Sequence, residues 1–222
     1  YKSGDGYKMF ALGRSNQPTV ILDSTGRAYT TPSHNLPSAR GQGEPVTGRI
    51  NPPSGATFEG LMMGAEEALY LLASDAGYGF VARLGDLQTK NRAGKAALKL
   101  PKGAQVLQPA AIDKVDGSWV AAVSNEGRML IFPLEDLPQL PRGKGNKILS
   151  IPPARVQARE EFVIAVQVLS EGDALVIHSG KRHLKLKGDD LTHYRGERGR
   201  RGLKLPRGLQ KVDRMVVERV GD

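Results

Sequence analysis

The sequence predicts an all-β, propeller-like array of repeats about 50 residues long. Three observations predict it. Turn glycines recur at Gly26, Gly77, Gly127 and Gly180, spaced 51, 50 and 53 residues apart. An apolar strand precedes each turn (TVILDS, LYLLAS, WVAAVS, ALVIHS) and another follows it (RAYTT, YGFVAR, RMLIFP, RHLKLK). A basic loop and a short apolar strand then close each repeat. The 27 glycines and 14 prolines are spread along the chain rather than clustered, as many short strands joined by tight turns require.

Each element follows from local chemistry. Strand, glycine turn, strand reads as a β-hairpin, because glycine supplies the positive φ such turns need. A further apolar segment precedes each hairpin: KMFALG, EGLMMGA, PAAIDKV and FVIAVQVL. Its link to the hairpin is turn-like, so each unit is expected to be a three-stranded meander. Leu36, Leu87, Leu137 and Leu191 follow the turn glycines by 10, 10, 10 and 11 residues and are expected to be core anchors. The repeats run over 7–50, 58–100, 109–151 and 161–206. Segments 1–6 and 209–222 read as pieces of a further blade, and the whole is one domain. An array that borrows a strand between neighbours would use both pieces, since closure removes bare sheet edges.

Charge narrows the partners. The 222 residues carry a net charge of +9. Residues 1–180 hold 19 Lys and Arg against 17 Asp and Glu, whereas residues 181–222 hold 13 against 6. A chain this basic points to an acidic partner, with nucleic acid foremost. No cysteine is present, which excludes thiolate zinc sites, iron–sulfur clusters and a cysteine nucleophile, and fits a reducing compartment. The opening YKSGDGYKMF has no apolar core of signal-peptide length, and no apolar run approaches the ~18 residues of a membrane span.

The basic loops carry the functional reading. They contain Arg40 in the first repeat, Arg92 and Lys95 in the second, and Arg142, Lys144 and Lys147 in the third. The fourth holds Arg198, Arg200, Arg201 and Lys204. Beside the hairpin turns stand Arg27, Arg128, Lys181 and Arg182. Glycine allows close backbone approach and outward N–H nests, and Arg and Lys add charge-assisted bonds to phosphate. Repetition puts these cations on one curved rim. Such a rim suits a bent duplex, held without sequence preference and with strong salt dependence.

Other chemistry is weaker. His178 and His183 flank a turn, and a metal would need His193 or Asp190 as well. Neither a nucleophile elbow nor a Walker loop is present. The pairs Glu66-Glu67 and Glu160-Glu161 read as solvated caps. Trp119, Tyr29, Tyr70, Tyr78, Phe80 and Phe132 fall on hairpin strands and read as core. Aromatics make up only 5% of the chain, which favours duplex over single-strand binding.

The repeat with its basic glycine-rich loop resembles the C-terminal domain of the A subunit of bacterial type IIA topoisomerases, over the whole chain. The gyrase branch carries a heptad, Gln-Arg-Arg-Gly-Gly-Lys-Gly. Here only the degenerate Arg142–Lys147 and Arg198–Gly202 approach it, so the resemblance is to the topoisomerase IV branch. It implies a β-pinwheel, open or spiral, with strands exchanged between blades and DNA bent around the rim. It further implies recognition of crossings or catenanes more than negative supercoiling. It implies a non-catalytic part of an ATP-hydrolysing enzyme that relaxes and decatenates DNA in chromosome segregation. The catalytic tyrosine, ATP and Mg would then lie outside these residues, and this domain needs no cofactor. The implied partners are double-stranded DNA, the catalytic core of the same polypeptide and the enzyme's ATPase subunit. The implied location is cytoplasmic and nucleoid-associated, with peripheral membrane association open to the full enzyme.

Two other functions compete: a propeller-like scaffold docking an acidic protein, and an RNA binder suggested by RGERGRRG. Basic residues in the same loop of every repeat favour the duplex. Residues 181–207 are expected to make the strongest DNA contact or to hold a separate acidic partner.

Overall fold

A computed structural model describes residues 17–32 and 50–220. The segment KMFALG, Leu36 and the first basic loop with Arg40 lie outside the described residues. Two strands form each predicted hairpin: β1 (Pro18–Asp23) with β2 (Arg27–Pro32), and β4 (Leu69–Ser74) with β5 (Tyr78–Arg83). The others are β8 (Trp119–Ser124) with β9 (Arg128–Pro133), and β12 (Ala174–Ser179) with β13 (Arg182–Leu186). Between them lie β3 (Phe58–Met63), β6 (Lys95–Ala96), β7 (Ala110–Ile112), β10 (Asn146–Lys147), β11 (Val163–Leu169), β14 (Leu203–Lys204) and β15 (Arg214–Glu218). The helices are single turns: α1 (Leu84–Leu87), α2 (Pro153–Gln157) and α3 (Asp189–His193). Among the described residues no helix is long and apolar enough to cross a membrane.

The strands form four antiparallel sheets, ordered β3-β1-β2-β6, β10-β5-β4-β7, β11-β8-β9-β14 and β13-β12-β15. This corrects the expected meander. EGLMMGA, PAAIDKV and FVIAVQVL pair with the hairpin before them, not the one after. The links explain why. The carbonyls of Glu66 and Ala68, between β3 and β4, accept from Gly85 (2.9 Å) and Leu84 (2.8 Å) beyond β5. The link therefore crosses the end of its own hairpin and cannot fold back beside it. The freed strand covers the edge of the preceding hairpin, which would otherwise be bare. The short strand after each basic loop is also lent backwards, so β6, β10 and β14 pair with β2, β5 and β9. A blade is thus one hairpin clasped on both sides by the next repeat.

Side-chain alternation stacks these blades. Tyr70, Leu72, Phe80 and Ala82 pack with Val20, Leu22 and Ala28 of the first blade. The alternate residues Leu71, Ala73 and Val81 pack with Val120, Ala122, Leu130 and Phe132 of the third. Ala121, Val123, Met129 and Ile131 then meet Leu175 and Ile177 of the fourth. Each central strand is therefore buried on both faces. Leu87, Leu137 and Leu191 are buried, as the spacing predicts. Strand β11 packs against both β7 and β15. The first strands of the repeats therefore lie along the axis, and the basic-loop strands β6, β10 and β14 take the outer edge of the first three sheets.

The first three hairpin turns share one interlock. The Gly26 carbonyl accepts from Ala97 (3.1 Å) and Leu98 (2.9 Å), that of Gly77 from Ile148 (2.6 Å), and that of Gly127 from Leu205 (2.8 Å). The fourth turn departs from them. Ser179 pairs directly with Arg182, leaving only Gly180 and Lys181 in the turn, where the second hairpin places three residues between Ser74 and Tyr78. Among the described residues, no strand pairs outside β13.

Candidate nucleic-acid interface

The loop glycines have a structural task that the sequence did not reveal. Gly94, Gly145 and Gly202 have φ of +74°, +83° and +71°, and a Cβ on each would strike the carbonyl of Ala28, Gly79 and Met129 in the preceding blade. They bring each loop close to protein backbone, so that the next residues can enter the neighbouring sheet. The loops are also tied to one another. The carbonyls of Arg92, Gly143 and Arg200 accept from Asn51 (2.7 Å), Lys99 (2.9 Å) and Ser150 (3.0 Å), at equivalent points in successive repeats. The structure thus brings the second, third and fourth basic loops onto one outer perimeter. Arg40 lies outside the described residues.

The cations on that perimeter differ in how far they are committed to the protein. Arg27 donates to the carbonyls of Ala93 (3.0 Å) and Gly94 (2.9 Å), and Arg128 to that of Gly202 (3.3 Å). Both clamp the incoming loop. In the second blade Tyr78 holds the same position, with Lys144 Nζ 4.5 Å from its ring centroid. Arg198 donates to the Lys147 carbonyl (2.8 Å), joining two loops. Arg201 donates to the Ser150 carbonyl (2.6 Å) and pairs with Glu161. Lys204 donates to the Glu126 carbonyl (3.3 Å). Arg200 pairs with Glu197 at 2.9 Å, both of them exposed. Arg92, Arg142, Lys144 and Lys147 are exposed, and Lys95 is half-buried. Lys181 and Arg182 are exposed at the turn of the fourth hairpin.

Two clefts at the turn tips add residues that the sequence reading missed. One, of about 780 Å³, is lined by Arg27, Lys99 and Arg142 among others. The second, of about 150 Å³, gathers Lys102, Lys144 and Lys147 beside Tyr78. Lys99 and Lys102 sit in the KLPKG that follows the second loop strand; that proximity was the available signal.

Glu161 corrects the reading of solvated caps. Its side chain is 0% exposed and lies between Arg155 (2.7 Å) and Arg201 (2.8 Å). Arg155 continues to Glu126 at 2.5 Å. That hydrogen bond holds the Glu126 carboxyl below the usual carboxylate range and raises Arg155 in turn. Glu66 is exposed, as expected, and lies 3.8 Å from Arg83. Tyr29, Phe80 and Phe132 are wholly buried, whereas Trp119 is half-buried beneath Arg195 at 4.0 Å. His178 and His183 face each other across the fourth hairpin with ring centroids 6.2 Å apart. Among the described residues no group of three His, Asp or Glu is placed to hold a metal.

Comparison with known proteins gives the same architecture. A family model described as "DNA gyrase C-terminal domain, beta-propeller" matches residues 69–113 and 118–176. The A subunit of DNA topoisomerase 4 from Pseudomonas aeruginosa is 58% identical over 98% of this chain, which spans 29% of that relative's length. The solved C-terminal domain of E. coli ParC is 48% identical, superposes with a TM-score of 0.87, and is matched over 98% of this chain and 88% of its own. A solved DNA gyrase A C-terminal domain shares the fold at 16% identity, with a TM-score of 0.67 over 90% of this chain and 64% of its own.

Proposed function

From a chain that belongs to the family of C-terminal domains of the topoisomerase IV A subunit, we propose a non-catalytic domain that binds duplex DNA along its outer perimeter and bends it. The observation that carries this is the chain of hydrogen bonds joining three consecutive basic loops, 51–92, 99–143 and 150–200. Cations tied into one curved series can follow a bent phosphate backbone. Bending costs about 1–6 kcal/mol, and added backbone contacts offset it. Base edges are not read, so recognition rests on duplex geometry. In the whole enzyme the domain presents crossed or catenated segments to the catalytic core of its own polypeptide. Strand cleavage, ATP and Mg belong to the core and the ATPase subunit. The nucleoid is the place of action.

The test is duplex affinity against salt, beside a single strand and an RNA of equal length. We expect preference for the long duplex and a slope equivalent to about 5–10 phosphates. A shallow, length-independent slope would sink the reading. A second function has its own support: blade four shows no outer strand among the described residues, and its edge carries Lys181, Arg182 and Lys185. An acidic protein docking there would bind equally well with the three loops neutralised.

A further inference from the structure

Glu161 is a fully buried acid in a strongly basic chain. Burying a carboxylate costs several kcal/mol unless cations and hydrogen bonds compensate. Here two arginines from separate parts of the chain supply the compensation. Oε2 accepts from Arg155 (2.7 Å) on α2 and from Arg201 (3.0 Å) in the fourth basic loop, whose other nitrogen lies 2.8 Å from Oε1. Arg155 reaches on to Glu126 in the third hairpin turn, and Arg201 also holds the Ser150 carbonyl. Backbone bonds attach the fourth loop to its neighbours, from Gly196 to the Ile131 carbonyl (2.9 Å), from Gly199 to the Ile148 carbonyl (3.1 Å) and from Ser150 to the Arg200 carbonyl (3.0 Å), but its side chains are little buried. Between the buried Tyr194 and the buried Leu205, residues 195–204 are exposed or half-exposed. Arg201 is the one side chain of that stretch paired to a buried carboxylate among the described residues.

We propose that Glu161 is a positioning residue for DNA binding. Through Arg201 it fixes where the fourth loop hangs beside the third, and so aligns Arg198, Arg200 and Lys204 with the cations before them, without touching DNA. This rests on the duplex-binding reading above. Its consequence runs against simple electrostatics: removing a negative charge from a DNA-binding protein ordinarily tightens binding.

The test uses the full chain with Glu161→Gln, measuring duplex affinity against salt. We expect about tenfold weaker binding and a slope shallower by about two phosphates, although no cation is lost. Glu160→Gln, which neutralises the exposed neighbour, should bind as well as or better than the parent. Arg201→Lys keeps the charge and loses the two-pronged grip, so it should resemble Glu161→Gln; if Arg201 itself touched phosphate, lysine would preserve binding. This second variant decides the matter should Glu161→Gln unfold. Unchanged or tighter binding by Glu161→Gln, with the parental slope, overturns the proposal. A parent chain that binds no duplex overturns the DNA reading instead. Amide exchange of residues 196–204 in Glu161→Gln then still shows whether Glu161 anchors the loop.

Discussion

At the scale of single residues, one side-chain type divides into two roles. Arg27 and Arg128 hold carbonyls of the incoming loop, whereas Arg142 and Lys147 stand in solvent. Arg27→Gln should therefore lower stability by about 1 kcal/mol in urea unfolding and change duplex affinity little. Arg142→Gln should do the reverse. The sequence located all of these cations but could not separate them, because a clamp and a free cation have the same letter and differ only in which backbone passes within hydrogen-bond reach. Titration obeys the same local rules. Burial, then the hydrogen bond to Asp23, pushes the Tyr29 hydroxyl up to about 12. Burial pushes Asp173 up, but hydrogen bonds from Ser170 N–H, Arg219 and Val220 N–H outweigh it and hold the carboxyl low. Burial, with Arg214 and His183 nearby, lowers His178 against the opposing Asp213. A raised tyrosine stabilises the fold below pH ~10 and ceases to as pH climbs through its folded value. A lowered histidine stabilises above pH ~6.5 and is lost as pH falls. The melting temperature should thus plateau between about pH 7 and 10, and His178→Asn should remove the first loss on the acid side. An unaltered acid limb in that variant would assign the loss elsewhere.

At the scale of the element, the basic-loop strands depend on glycine more than on charge. Gly145 has φ +83° and no room for a Cβ against Gly79, whereas Gly117 has φ +74° and open space. Gly145→Ala should cost about 2–4 kcal/mol and Gly117→Ala about 1 kcal/mol. Thermal melts of the two variants check this. Equal shifts would mean that only the dihedral matters and not the approach to the neighbouring blade. The hairpins were legible because an apolar run, a glycine and a second apolar run have one economical solution. The partner of each preceding strand was not. PAAIDKV carries the same alternation whether it pairs forwards or backwards. Only the crossing of the links decides, and hydropathy does not record it. The fourth turn misled in a similar way: its glycine keeps the repeat's spacing, yet the turn is one residue shorter.

At the scale of the whole molecule, the excess charge at the end of the sequence does not become the strongest free charge in space. Arg198 and Arg201 are bound to backbone and to Glu161, and Arg200 to Glu197. The third loop holds fewer cations but leaves Arg142 and Lys147 in solvent, with Lys144 over the Tyr78 ring. Reversing Arg142 and Lys147 to Glu should flatten the salt slope by about two phosphates at constant melting temperature. Reversing Arg198, Arg200 and Arg201 should weaken binding and lower the melting temperature together. The position of the basic loops was therefore written in the sequence, while the commitment of their cations was not, since that depends on buried acids such as Glu161 far from the fourth loop in the chain. The backward lending of strands has a consequence for cutting and grafting. Because a hairpin of one repeat is clothed by strands of the next, a single nick between repeats frees no blade; the fragments stay clasped until both borrowed strands peel away. A blade transplanted from a relative must carry the first strand and loop strand of the following repeat. A graft cut at the repeat boundary delivers a hairpin with both flanks bare.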